Sequence, residues 1–205
     1  KFAAVPAIKR YTEETTPKNE VLIAPYDAKN IYMVQLHNQN QKWSADRAPI
    51  IALFNEYFGG GMNAIVFQEL REARGLAYSA SAVYASPYRL GGNESFYTYI
   101  ITQNDKMMDC VTEFNKLLNN VPVRQSGFDL AKQSLMKSLA SQRTTKYSIL
   151  TSYLAAQRLG IDYSLSEKIY NALPSLQLQD VINFEKEYIA NKTFKYIILG
   201  NEKEL

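Results

Sequence analysis

Apolar positions along this chain follow two rhythms. Residues 21–24 (Val-Leu-Ile-Ala) and 31–36 (Ile-Tyr-Met-Val-Gln-Leu) are short runs rich in β-branched and aromatic side chains, and Pro25, Tyr26 and Asp27 mark a turn between them. Both runs read as strands. Over residues 45–58 the spacing changes: Ile50, Ile51, Phe54 and Phe58 recur at helical intervals, Pro49 stands near the start, and Gly59, Gly60 and Gly61 break the run. A second helix is predicted over residues 62–71, with Met62, Val66 and Leu70 on one face. Residues 79–85 and 94–102 read as two strands joined by a hairpin connection at 87–92 (Pro-Tyr-Arg-Leu-Gly-Gly). Helical spacing then takes over. It predicts helices at 105–118 (Met107, Val111, Phe114, Leu118), 128–143 (Phe128, Ala131, Leu135, Leu139), 148–159 and 178–189, with Gly160 stopping the third. Residues 193–199 close the chain as a strand ended by Gly200.

The resulting order is β-β-α-α-β-β-α-α-α-α-β. Strands come in adjacent pairs and helices in runs, which points to an α+β fold: a mostly antiparallel sheet with helices packed on one face. Residues 1–18, with Pro6, Pro17 and a polar cluster at 12–16, read as a linker from a preceding domain, and residues 19–205 as the domain itself. No internal repeat is visible.

Composition narrows the function classes. At 205 residues and 46% hydrophobic, the chain has enough material for one large core, and 21% charged residues do not suggest disorder. The formal charge of +3 is spread along the chain rather than gathered in a stripe, which speaks against nucleic-acid binding. The single cysteine, Cys110, excludes an intramolecular disulfide and lies on an apolar helix side with Met107, Val111 and Phe114, so it reads as a buried small hydrophobe. No apolar stretch approaches the ~20 residues of a spanning helix. The expectation is a soluble protein, periplasmic or cytoplasmic if bacterial. The chain starts at Lys1 rather than Met, so it reads as a segment of something longer.

Hydrolytic machinery is thin. His37 is the only histidine, at a strand end where solvation is expected, and one His with one distant Cys does not make a zinc site. No Gly-x-Ser-x-Gly elbow surrounds a serine, and the glycine triplet lacks the lysine of a phosphate loop. Glu185 and Glu187 sit two apart on a helix, share no face and read as solvated charges. The sequons at Asn93 and Asn191 are short enough to arise by chance. Tyr84, Tyr88, Tyr97 and Tyr99 gather around the hairpin, as a recognition face or as ordinary half-exposed strand positions.

The densest stretch is residues 54–81, FNEYFGGGMNAIVFQELREARGLAYSAS. A helix ends at Gly59, Gly60 and Gly61, a second ends near Arg71 with Gly75 as its C-cap, and Tyr78 leads into a strand. Arg71 and Tyr78 thereby converge across the turn. An arginine fork with a phenol can grip a peptide carbonyl or carboxylate. Alternatively, Arg71 caps helix carbonyls, Tyr78 packs in the core, and Arg74 is an exposed charge.

This stretch resembles the C-terminal homologous domain of the insulinase/pitrilysin family, which includes the mitochondrial processing peptidases. The family pattern of a glycine break, a helix ending Leu-Arg, and Gly-Leu-Ala-Tyr is met here, with Arg71 and Tyr78 as its Arg and Tyr. The resemblance extends over residues 19–200 as order and pattern. It implies a domain that occurs twice per enzyme. One copy carries zinc on His-x-x-Glu-His; the other lends Arg and Tyr to the substrate in an enclosed chamber. This sequence lacks His-x-x-Glu-His and matches only the second copy. The resemblance therefore implies Arg71 and Tyr78 as substrate contacts, Gly59, Gly60 and Gly61 as a structural loop, and no metal or catalytic residue in this segment. Zinc and the general base would come from a catalytic partner domain or subunit, and the substrates would be extended peptides. Some members of the family have lost catalysis and serve as scaffolds, which is the alternative reading.

Overall fold

A computed structural model describes residues 11–201 and Lys203. Its centre is one sheet in the order β1-β5-β2-β4-β3, built from β1 (Glu20–Pro25), β2 (Asn30–His37), β3 (Ser79–Ala85), β4 (Ser95–Gln103) and β5 (Lys195–Gly200). Only β1 and β5 run parallel, with Glu20 opposite Lys195; the other three pairings are antiparallel. Among the described residues, seven helices accompany the sheet: α1 (Ala48–Phe58), α2 (Ile65–Phe67), α3 (Met107–Asn119), α4 (Gln125–Ser141), α5 (Lys146–Leu159), α6 (Leu165–Ala172) and α7 (Leu178–Tyr188). The α+β architecture expected from the sequence is the one found.

Strand alternation explains the layering. On β2, Ile31, Met33, Gln35 and His37 are buried, while Tyr32, Val34 and Leu36 on the opposite face are only half-buried. On β4, Phe96, Thr98, Ile100 and Thr102 are buried and Tyr97 and Tyr99 are exposed. One face thus carries the helices and the core, with Phe54 and Phe58 of α1 fully buried. Phe54 meets Phe184 of α7 at 5.3 Å between ring centroids. Of the tyrosines around the hairpin, Tyr84 points inward, its hydroxyl 3.3 Å from the Glu94 carboxylate, while Tyr88, Tyr97 and Tyr99 are exposed. Cys110 is buried, as the apolar face of α3 implied, and burial raises its thiol pKa to about 11.

Two elements depart from the sequence pattern. The helix expected over 62–71 is a short α-turn, α2, that widens into a π-helical segment, Gln68–Ala73. Helix α6 was not expected, although Leu165, Ile169 and Ala172 recur at helical spacing within its eight residues. It is started by Ser164, whose hydroxyl accepts from the Glu167 amide. Residues 1–10 of the expected linker lie outside the described residues. Its later part is tied down: Thr16 is buried, its amide donates to the Asn38 carbonyl at 2.8 Å, and Glu13 accepts from the Asn93 amide at 3.0 Å.

Two expected solvated groups are buried. His37 is 5% exposed because β2 carries it under residues 193–194; its Nδ1 lies 2.7 Å from the Thr193 carbonyl, and burial lowers its pKa. Glu185 is 1% exposed, since α7 turns this side chain into the protein while Glu187 lines the surface. Burial, only partly offset by the Lys186 charge, raises the Glu185 pKa from the ordinary 4.5 to about 7. The folded state then holds a proton that the unfolded state releases. Stability therefore falls as pH rises from about 4.5 to about 7, and stays at its lower level above that. Glu185→Gln is expected to raise thermal stability at pH 8 by an amount worth up to about 3 kcal/mol, and to change little at pH 4.5. Melting curves at both pH values check this; an offset independent of pH would contradict it.

Candidate functional site

The site lies where the π-helical segment runs into β3. The π-helical segment ends in a turn that leaves few free carbonyls. Gly75 takes φ +59°, a left-handed conformation that glycine adopts at little cost. Its amide donates to the Arg71 carbonyl at 3.0 Å, and the amides of Leu76 and Ala77 both donate to the Leu70 carbonyl, at 2.8 and 3.3 Å. With those carbonyls satisfied by backbone amides, the Arg71 side chain is not needed as a cap.

Arg71 instead stacks between rings. Its guanidinium carbon lies 4.8 Å from the Phe67 ring centroid and 5.8 Å from that of Tyr78. The carboxylate beside it is Glu72, at 3.8 Å. Tyr78 is 74% exposed, so it does not pack in the core; its amide donates to Ile101 at 2.8 Å and locks it to the end of β4. The convergence expected across the turn is present, and both polar ends face solvent. Sequence reasoning missed Phe67. Its position four residues before Arg71, one helical turn earlier, was the available signal.

Arg74 has a different setting. It lies 3.5 Å from both Glu69 and Glu113; Arg124 also pairs with Glu69, and Lys116 with Glu113 at 2.6 Å. Arg74 is spent in this surface network, whereas Arg71 retains open donors.

The glycines separate by role. A Cβ on Gly59 would lie 2.0 Å from the Ala82 carbonyl oxygen, because the end of α1 abuts β3. On Gly60 it would lie 2.8 Å from the Asn55 carbonyl oxygen, while Gly61 has open space. Gly59 and Gly60 thus permit close backbone packing at the end of α1.

Among the described residues, no group of three His, Cys, Asp or Glu side chains is placed to hold a metal ion. His37 is buried against Thr193, so the residues present do not fit a zinc centre. Among the described residues, no helix is long and apolar enough to cross a membrane.

Comparisons with known proteins bear on this geometry. Residues 3–135 match the family described as the peptidase M16 inactive domain. A protein of Rickettsia felis named an uncharacterized zinc protease is 28% identical over 156 residues, covering 71% of this chain and 35% of its own length. A protein of Rickettsia bellii with the same name is 25% identical over 153 residues, covering 70% and 35%. The chain thus spans about a third of the length of these curated relatives. Among solved structures, a peptidase M16 inactive domain from Pseudomonas fluorescens superposes with a TM-score of 0.77 at 18% identity, over 96% of this chain and 47% of that one. A protease from Helicobacter pylori gives 0.72 at 14%, over 97% and 48%. At such identities the structures speak to the fold.

Proposed function

Since the chain belongs to the family of the peptidase M16 inactive domain, we propose that it is the substrate-contacting, non-catalytic domain of a zinc-dependent endopeptidase that acts on peptides. The observation that carries this reading is the exposed, mutually stacked pair Arg71 and Tyr78, with its donors turned to solvent. Zinc and the general base belong to another domain or subunit of the same family, and bond cleavage takes place there.

The work of this domain is to bind and orient. Arg71 presents a planar fork of N–H donors to a peptide carbonyl or carboxylate, and the Tyr78 hydroxyl adds a second donor beside it. Phe67 holds the guanidinium in place, which reduces the freedom lost on binding. Strand β3 starts one residue after Tyr78, but its outer edge is taken up by the end of α1, where the Gly59 carbonyl accepts from the Ala82 amide at 3.4 Å and the Asn55 side chain bonds both backbone groups of Tyr84. The pair itself, rather than strand addition along β3, therefore holds the peptide.

Incubated with a quenched fluorescent peptide and zinc, the isolated chain is expected to show no cleavage; combined with its catalytic partner it is expected to support cleavage. Tyr78→Phe removes one hydroxyl and is expected to lower kcat/KM of the assembly by about tenfold with no change in melting temperature. Cleavage by the isolated chain, or a Tyr78→Phe assembly as active as wild type, would overturn the assignment.

A further inference from the structure

Tyr78 also lines a recess that the grip itself does not use. It lies at the end of the sheet, where β2 begins and β4 ends, and measures about 240 Å³. That is room for one side chain or chain end, below the ~300–1,000 Å³ of a whole small-molecule site. Asn30, Tyr78, Thr102, Gln103 and Lys106 contribute to its wall. Lys106 is the one charged residue among those lining it. Its ammonium donates to the Gly75 carbonyl at 3.2 Å, which anchors it at the rim and leaves further N–H donors. The Thr102 hydroxyl is spent on the Leu76 carbonyl at 2.6 Å, so the Asn30 and Gln103 carboxamides are the remaining side-chain amide donors.

We infer that this recess is a subsite for a carboxylate of the peptide, adjacent to the backbone held by Arg71 and Tyr78, with Lys106 as its specificity-determining residue. The inference rests on the grip proposed for that pair. A single fixed cation with two amide donors and no opposing carboxylate in the lining selects an anion, and the small volume selects a carboxylate over a larger group. The carboxylate is either an acidic side chain or the peptide's C-terminus.

Matched fluorogenic peptides distinguish these sources: one with Glu or Gln scanned through each position, and one with a free or amidated C-terminus. Each is measured with the assembled peptidase for kcat/KM, and by anisotropy as a labelled non-cleavable analogue. Wild type is expected to prefer the carboxylate form in one of the two series by about tenfold. Lys106→Met is expected to abolish that preference while leaving the neutral peptides within about twofold, and Lys106→Glu to reverse it in favour of a Lys-bearing peptide. Lys106 variants that rank the peptides as wild type does would overturn the subsite. Arg71→Ala separates the two levels: if it spares every peptide while Lys106→Met erases the preference, the grip fails and the recess stands. If it weakens every peptide while the Lys106 variants change nothing, the recess fails and the grip stands.

Discussion

Arg71→Ala is expected to lower kcat/KM of the assembled peptidase by about 100-fold on peptide substrates, which corresponds to about 2.7 kcal/mol of lost transition-state binding. The magnitude follows from the type of bond. A charge-assisted, two-pronged hydrogen bond to a peptide carbonyl or carboxylate is worth about 1.5–3 kcal/mol, and alanine leaves the substrate group without that partner. The fold has little at stake. The Arg71 side chain is 44% exposed, its ion pair with Glu72 at 3.8 Å is a loose surface contact, and the helix-end carbonyls are capped by the backbone. Melting temperature is therefore expected to stay within about 2 °C of wild type. Arg71→Lys keeps the charge but loses the fork, and is expected to recover only a small part of the activity. Kinetics and calorimetry on the same preparations check all three statements. A melting temperature that falls together with activity would make Arg71 a structural residue.

Gly59→Ala is expected to damage the fold itself. The new Cβ would meet backbone on every near side: 2.0 Å from the Ala82 oxygen, 2.6 Å from its carbon and 2.7 Å from its nitrogen. No rotamer relieves a clash with backbone, so α1 or β3 must shift, at a cost of about 3 kcal/mol or more. That corresponds to a fall in melting temperature of roughly 6–12 °C for a domain of this size. Gly61→Ala, two residues on and in open space, is the internal control and is expected to be near neutral. Equal effects of the two substitutions would mean that α1 and β3 do not meet as closely as described.

Periodicity carried most of the fold, because the elements that build the core, such as β2, β3, β4 and α3, have a one-sided burial that their sequence repeats. Strand β3 was legible to the residue, since Ala80, Ala82 and Tyr84 point inward and the positions between them do not. Helix α5 shows the limit of that signal. Thr145 and Ser148 form a capping box, Gly160 closes the helix in a left-handed turn, and the element was readable, yet none of its residues is buried. Ile149, Leu150 and Tyr153 remain exposed. Pattern predicts a helix; it does not say whether the apolar stripe meets the core.

The misjudged groups have a common cause. His37 and Glu185 are polar residues at inward-facing positions, and a pattern built on apolar spacing assigns polar residues to the surface by default. The site was read through Arg71 and Tyr78, and their convergence was expected. Three-dimensional placement added what no spacing held, the π-helical widening that carries Arg71 and the diversion of Arg74 into an ion network with Glu69 and Glu113, while the Phe67 ring under the guanidinium was signalled by its four-residue spacing and went unread.

The most direct test is a double-mutant cycle on the assembled peptidase, with kcat/KM measured for wild type, Arg71→Ala, Tyr78→Phe and the pair. One shared substrate grip predicts strong coupling: the double variant falls about 100-fold, close to Arg71→Ala alone, with all four proteins equally folded. Losses that multiply to about 1,000-fold would place the two residues in separate roles, and no loss in either variant would leave the domain a scaffold without a hand on the substrate.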